Sequence, residues 1–117
     1  MSRFFPPSRV TQQTIDGVEI ELQVSADLHY FDGHFPHASV LAGIAQLDWA
    51  VYYTQCHLAP GQQVLSVEVL KFQEMIQPDV KVRLVIAQTK ADTSTFAFYV
   101  GEQRMSSGRL KWGPHGA

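Results

Sequence analysis

The sequence has little charge and almost no cysteine. Charged residues make up 17% of the chain and hydrophobic residues 45%, so it has too little charge for a disordered tail and enough apolar material for a core. The net charge of -2 supplies no general basic field, which argues against nucleic acid as a partner. Cys56, the one cysteine, cannot form an internal disulfide, and we expect it to be a small buried apolar residue.

Long apolar runs are absent as well. No stretch approaches the roughly 18 apolar residues of a membrane span, and residues 1–10 lack the apolar segment of a signal peptide. The sequence therefore predicts a cytoplasmic protein without a membrane partner. Its 117 residues fit a single domain, residues 1–117, because no linker, repeat or low-complexity segment divides them.

Hydrophobic spacing predicts strands on both sides of one long helix. Apolar residues alternate over residues 17–24, and alternation returns after Pro60 in about four segments. A change of phase at Leu70 indicates a β-bulge in the first of these segments. Residues 40–57 contain no proline and carry apolar residues at helical spacing. Because the first turns of this helix are apolar on nearly every side, we expect the helix to be buried.

The order of these elements predicts an α+β fold. The later strands are joined by turns too short for crossover helices, which favours an antiparallel β-sheet with the helix packed against it. An antiparallel sheet wrapped around one long central helix is the hotdog fold. Because a sheet of this size has edges to cover, we expect a homodimer, or a heterodimer with a related hotdog subunit.

One segment carries a motif. Residues 31–36 read FDGHFP and residues 46–50 read QLDWA, with fourteen positions from His34 to Asp48. This segment resembles the 3-hydroxyacyl-carrier-protein dehydratases of the FabA/FabZ type, and within them the small dehydratases of aryl-polyene pathways. The resemblance implies a hotdog dehydratase of fatty-acid or polyketide-like biosynthesis. It extends more loosely over residues 17–112.

The residue types at His34 and Asp48 suit the elimination of water from a 3-hydroxyacyl thioester. This reaction needs a base for the C2 proton and an acid for the departing hydroxyl group. Histidine accepts a proton near neutral pH, so we assign His34 as the base and Asp48 as the acid. An ordinary aspartate is protonated only about one part in 10³ at neutral pH, and the acid role needs about 4 kcal/mol of help from desolvation. We therefore expect Asp48 to be buried.

The resemblance assigns the rest of the site. The family's carbonyl-polarising backbone amide corresponds to Gly43, with the Phe35 region opposite, and both would meet the negative charge that develops on the thioester oxygen. The acyl chain would lie in a tunnel with candidate walls at Trp49, Phe72 and Met75. The implied partner is an acyl carrier protein, whose phosphopantetheine carries the substrate; no other cofactor is expected. Carrier proteins are acidic, and the cations available to meet one are Lys71, Arg83, Arg104, Arg109 and Lys111.

Two departures from the family pattern leave alternatives open. Many relatives have prolines where Ser39 and Ala42 stand, and the family's Pro-Gly-Asp turn is PDV at residues 78–80. One alternative is a hotdog acyl thioesterase, in which the helix acid positions or activates water. Another is a non-catalytic hotdog subunit that binds a carrier protein or stabilises an active partner.

A metal site is conceivable from the spacing of three histidines in the loop before the helix. They are His29, His34 and His37. No cysteine or clustered carboxylate supports such a site, so we expect no metal.

Overall fold

The structure is a computed structural model that describes residues 6–24, 43–77 and 79–114, apart from the side chain of Ile44. Its elements in chain order are β1 Ser8–Gln13, β2 Gly17–Val24, α1 Gly43–His57, β3 Gln62–Phe72, β4 Val80–Lys90, β5 Thr93–Val100 and β6 Gln103–Pro114. The helix ends where the sequence predicts. Its expected first residues, 40–42, lie outside the described part.

The six strands form one antiparallel sheet. Their order across the sheet is β1-β2-β4-β5-β6-β3, and each neighbouring pair is antiparallel. This confirms the predicted antiparallel sheet with a helix against it. The sequence does not predict β1, because all six of its residues are exposed and show no hydrophobic alternation. The order places β1 and β3 at the two edges.

The core lies between the inner face of the sheet and α1. Alternate residues of the strands point inward, as the sequence predicts, and α1 adds Trp49 and Tyr53. Full burial of one such side chain contributes about 1.5–3 kcal/mol, so this layer fixes the helix on the sheet. The most deeply buried large side chains include Trp49, Phe98, Ile20, Leu22, Leu84, Ile86 and Leu110.

Helix α1 has one buried face and one exposed face. Its 15 residues extend over about 22 Å. Trp49 and Tyr53 are buried, whereas Asp48, Tyr52 and Cys56 are exposed. The expectations of a helix buried on nearly every side and of a buried Cys56 are therefore wrong for this chain, because the sheet covers only one face of the helix. Among the described residues, no helix is both long enough and apolar enough to cross a bilayer.

Strand β3 carries two bulges. Its register against β6 shifts once before Ser66 and again before Lys71. The second shift confirms the predicted bulge near Leu70, and the first is not predicted. Val69, inside the second bulge, has a φ of 52°, a left-handed conformation that β-branched residues rarely adopt. The residues of β3 that face α1 or the inner side of β6 are Val64, Val67, Leu70 and Phe72.

Candidate active site

Asp48 lies at a groove between the exposed face of α1 and strand β3. The groove has a volume of about 380 Å³. Its walls are Leu47, Asp48, Val51, Tyr52, Gln55, Val64 and Val67. Four of these seven side chains are aliphatic, so the Asp48 carboxyl group borders a largely apolar surface. The groove is wide and open to solvent, and it would hold the reactive end of a small organic substrate only if it were covered.

The expectation that Asp48 is buried is wrong for the chain by itself. Its side chain is exposed, while the next residue, Trp49, is fully buried. Residues four and seven positions apart share one face of a helix. Asp48, Tyr52 and Gln55 have this spacing and share the groove face, which points away from the core. The apolar composition of α1 therefore does not mean complete burial, because one face packs on the core and the other borders the groove.

Tyr52 adds a hydroxyl group to the same groove. Its hydrogen bond with the Cys56 thiol raises the pKa of Tyr52 above the usual value of 10.0. The phenol is therefore neutral at physiological pH. Its ring lies edge-on to Tyr53, with centroids 5.1 Å apart. The sequence motif does not include Tyr52 and Gln55, although their helical spacing from Asp48 indicates that they share its face.

Gly43 lies in the first turn of α1, where backbone N–H groups have no partner within the helix and the helix dipole presents its positive end. Phe72 of β3 packs against it. A Cβ on Gly43 would lie 2.7 Å from Cζ of Phe72 and 3.0 Å from Cε1, well inside the 3.5–4.0 Å of an ordinary carbon contact. Glycine at position 43 thus permits the close approach of this ring.

The other predicted site residues are placed apart from one another. Trp49 is fully buried in the core, Phe72 is 49% exposed beside Gly43, and Met75 is 70% exposed. Of these three, none is among the residues that line the groove at Asp48. The acyl tunnel along them stays a prediction. His34 and Phe35 lie outside the described residues, as do the loop histidines and positions 39 and 42.

Three of the five cations expected to meet a carrier protein make side-chain contacts with other described residues. Arg109 Nε lies 3.0 Å from Glu68 Oε1, and Arg104 Nε donates to Gln73 Oε1 at 2.9 Å. Arg83 Nη1 lies 3.2 Å from Glu19 Oε1, and its guanidinium carbon lies 4.6 Å from the centroid of the Tyr99 ring. Lys111 is opposite Ser66 in β3 and Thr93 in β5. Lys71 is opposite Ser107 at the β3 edge. The structure therefore gathers cations on β3, β4 and β6.

Metal ligands do not cluster in the described part of the chain. Among residues 6–24, 43–77 and 79–114, no group of three His, Cys, Asp or Glu side chains could hold an ion. The histidines of the conceivable metal site lie outside these ranges.

A family model and a solved structure both match the chain to one family of dehydratases. The model of the ApeI-like family, described as ApeI dehydratase, matches residues 9–109. The structure of the dehydratase heterocomplex ApeI:P from Xenorhabdus doucetiae shares 35% sequence identity with a TM-score of 0.85, over 92% of this chain and 96% of that one. No curated protein matches the chain.

Two further structures are similar. An uncharacterized protein from Erwinia carotovora subsp. atroseptica is 36% identical, with a TM-score of 0.78, over 93% of this chain and 94% of that one. A hypothetical thioesterase with coenzyme A from Streptococcus pneumoniae is 8% identical, with a TM-score of 0.68, over 94% of this chain and 90% of that one. At this identity the thioesterase shares the fold alone.

Proposed function

The chain belongs to the family of ApeI-like dehydratases, and from this membership we propose that it removes water from 3-hydroxyacyl thioesters carried on an acyl carrier protein. The product is a trans-2-enoyl thioester of aryl-polyene or related polyketide-like biosynthesis. The observation that carries the proposal is the position of Asp48: a carboxyl group on a largely apolar groove, fourteen residues after His34, with both residues inside the matched range.

The reaction needs two proton transfers. The His34 imidazole takes the C2 proton of the substrate, and Asp48, in its protonated form, gives a proton to the 3-hydroxyl group as the C3–O bond breaks. Water leaves, the C2–C3 double bond forms, and the proton on His34 returns to Asp48 for the next cycle. The backbone amides of Gly43 and Phe35 stabilise the charge on the thioester oxygen. No cofactor takes part beyond the phosphopantetheine that bears the substrate.

Substitution of the two acid–base residues tests this assignment. We expect His34→Ala and Asp48→Asn each to lower the turnover of 3-hydroxyacyl thioesters by about 10²-fold or more, because general acid–base catalysis contributes about 10²–10⁴-fold. Asp92→Asn is the matched control, since Asp92 lies in the turn between β4 and β5 and is exposed. Near-normal turnover in Asp48→Asn would remove this residue from the mechanism.

A second hotdog protomer covers the groove. Strand β3 is an edge of the sheet, and it is rich in exposed large apolar side chains. They include Leu65, Val67, Val69, Leu70 and Phe72 on the strand, with Tyr52 across the groove. An unpaired apolar edge of this length favours association. Coverage would also exclude water from the reacting groups in the groove. The ApeI relative forms a heterocomplex.

The mass of the purified protein in solution tests this association. We expect a dimer, and Val67→Asp should convert it to monomer because the charge would have to be buried in the interface. Val10→Asp is the control, since Val10 is 43% exposed on the opposite edge, against 37% for Val67. A monomer that dimerises only with a related subunit would identify a heterodimer. A protein that stays monomeric both alone and with the related subunit would refute the proposed association.

The acidic carrier protein meets the cations of β3 and β6. Within the described residues, Lys71 and Arg104 form no ion pair with a carboxylate, whereas Lys111 interacts electrostatically with Asp92. Lys71 and Arg104 are therefore the cations best placed to attract an acidic carrier protein. Charge reversal of each residue should raise KM for the carrier-bound substrate and leave KM for the same acyl group on a short thiol unchanged. An equal rise of KM for both substrates would assign the effect to the acyl site instead.

A further inference from the structure

Phe72 partly covers the first turn of α1. The three ring atoms nearest to a Cβ on Gly43 are Cζ, Cε1 and Cε2, at 2.7, 3.0 and 3.1 Å. These atoms form the tip of the ring, so the ring points at the backbone of Gly43 with its edge. Nearly half of the Phe72 surface, 49%, is exposed. The ring therefore fills the space beside Gly43, and its other side is exposed in the chain by itself.

The bulge at Val69 lies between the part of β3 that lines the groove and the part that contacts Gly43. A β-branched residue with a φ of 52° is strained, and such strain persists where the surrounding structure imposes it. A bulge bends its strand and increases the local twist. Beyond this bulge, Leu70 packs against Gly108, with Cδ1 3.3 Å from the Cβ position there. Phe72 pairs with Ser106. The bulge thus precedes the end of β3, where Phe72 contacts Gly43.

The space beside Gly43 has no room for another carbon atom while the ring is in place. If a thioester oxygen accepts from the Gly43 amide, its carbonyl carbon lies roughly 4 Å from that nitrogen. The C2 atom is one bond further. A methyl group on C2 then competes with the Phe72 ring for the same volume, whereas an unbranched chain adds no atom there.

From this geometry, and resting on the proposed dehydratase function, we infer that Phe72 is a specificity-determining residue that rejects acyl groups branched at C2. Val69 is its positioning residue. The substrate class is thus narrowed to 3-hydroxyacyl thioesters that are unbranched at C2. The selection acts through steric exclusion at the helix start and needs no contact between Val69 and the substrate.

The ratio of kcat/KM for 3-hydroxybutyryl and 2-methyl-3-hydroxybutyryl thioesters tests the role of Phe72. We expect the wild type to prefer the unbranched substrate, and Phe72→Leu to lower this ratio at least tenfold. Tyr99→Leu is the control, because Tyr99 lies under Arg83 on the outer face. Turnover with an unchanged ratio in Phe72→Leu would overturn this inference alone. If the wild type turns over neither substrate, alone or with a related hotdog subunit, both the proposed function and this inference are overturned.

Two variants of the bulge test the role of Val69. Deletion of Val69 removes the extra residue of β3, whereas Val69→Gly keeps it and tolerates the left-handed backbone. We expect the deletion to lower the substrate ratio as Phe72→Leu does, and Val69→Gly to retain the wild-type ratio. If the ratio is the same in both bulge variants, the bulge does not position Phe72.

The amide resonance of Gly43 reports the ring position without any reaction. In protein labelled with ¹⁵N-glycine, we expect Phe72→Leu and the deletion of Val69 to shift this resonance, because both remove the ring from the vicinity of Gly43. Tyr99→Leu and Val69→Gly should leave it in place. A Gly43 resonance that is insensitive to Phe72→Leu would refute the contact itself, even if the deletion variant failed to fold.

Discussion

The contact between Gly43 and Phe72 predicts a strong energetic coupling between the two positions. A methyl group at position 43 would lie 2.7 to 3.1 Å from three ring atoms, closer than the 3.5–4.0 Å optimum. Overpacking of this kind costs about 1–3 kcal/mol. Replacement of glycine by alanine in a helix contributes about 0.5–1 kcal/mol in the opposite direction. The two effects partly cancel, so Gly43→Ala should destabilise the protein by no more than about 2.5 kcal/mol.

The variant Phe72→Ala, which lacks the ring, separates the cost of overpacking from the gain in helix propensity. In Phe72→Ala the clash is absent, so the further change Gly43→Ala should stabilise the protein by about 0.5–1 kcal/mol. The coupling between the two substitutions is then about 1 kcal/mol or more. Urea denaturation of the four proteins at one fixed protomer concentration measures it, since association also contributes to stability. If Gly43→Ala has the same effect on the free energy of unfolding in both backgrounds, within about 0.3 kcal/mol, Phe72 does not restrict the space beside Gly43.

Three other predictions concern stability. Burial raises the pKa of Tyr53 above 10.0, against the opposing hydrogen bond with Ser8, so the folded state favours the neutral phenol. The stability that Tyr53 contributes should be complete below pH 10 and fall as the pH rises above it. Unfolding curves should show a weaker decline in Tyr53→Phe. Ser106 Oγ donates to Gln46 Oε1 at 2.6 Å in the core. In urea denaturation, Ser106→Ala should lower the free energy of unfolding by about 1–3 kcal/mol, whereas Ser107→Ala on the outer face should change it by at most about 0.5 kcal/mol. Equal losses in the two variants would show that this hydrogen bond does not stabilise the core. Asp79 has a φ of 65°, a left-handed conformation that glycine adopts more readily than other residues. Asp79→Gly should therefore raise the melting temperature and Asp79→Ala should lower it. A lower melting temperature for the glycine variant would contradict this prediction.

The strands with a buried face were predictable from the sequence, because their side chains alternate between core and solvent. Residues 17–24 are the clearest case, with every second side chain buried. Strand β1 gave no such signal, since all its residues are exposed. The bulge at Val69 is visible in the sequence as a change in the phase of alternation at Leu70, whereas the bulge near Leu65 leaves no such change. Each bulge inserts one residue, and only a shift that breaks an established alternation is visible in the sequence.

The candidate site was predictable in its residue types and less so in its environment. The Asp48 position on α1 follows from the helical pattern. Its exposure does not, because an apolar helix surface looks the same in sequence whether its own sheet or a second protomer covers it. Tyr52 and Gln55 share a face with Asp48 by spacing alone, but spacing does not tell which face opens to a groove. His34 and Phe35 lie outside the described residues and keep the roles that the family resemblance assigns to them.

Mass spectrometry of the carrier-bound product distinguishes a dehydratase from a thioesterase and from a non-catalytic subunit. The purified protein, alone and with a related hotdog subunit, is incubated with a 3-hydroxyacyl-carrier protein, and the acyl group is read on its phosphopantetheine arm. We expect the loss of one water from the acyl group, with the thioester intact, and no such loss with Asp48→Asn. Release of the free carrier thiol would indicate a thioesterase instead, and an unchanged acyl group under both conditions would indicate a non-catalytic subunit.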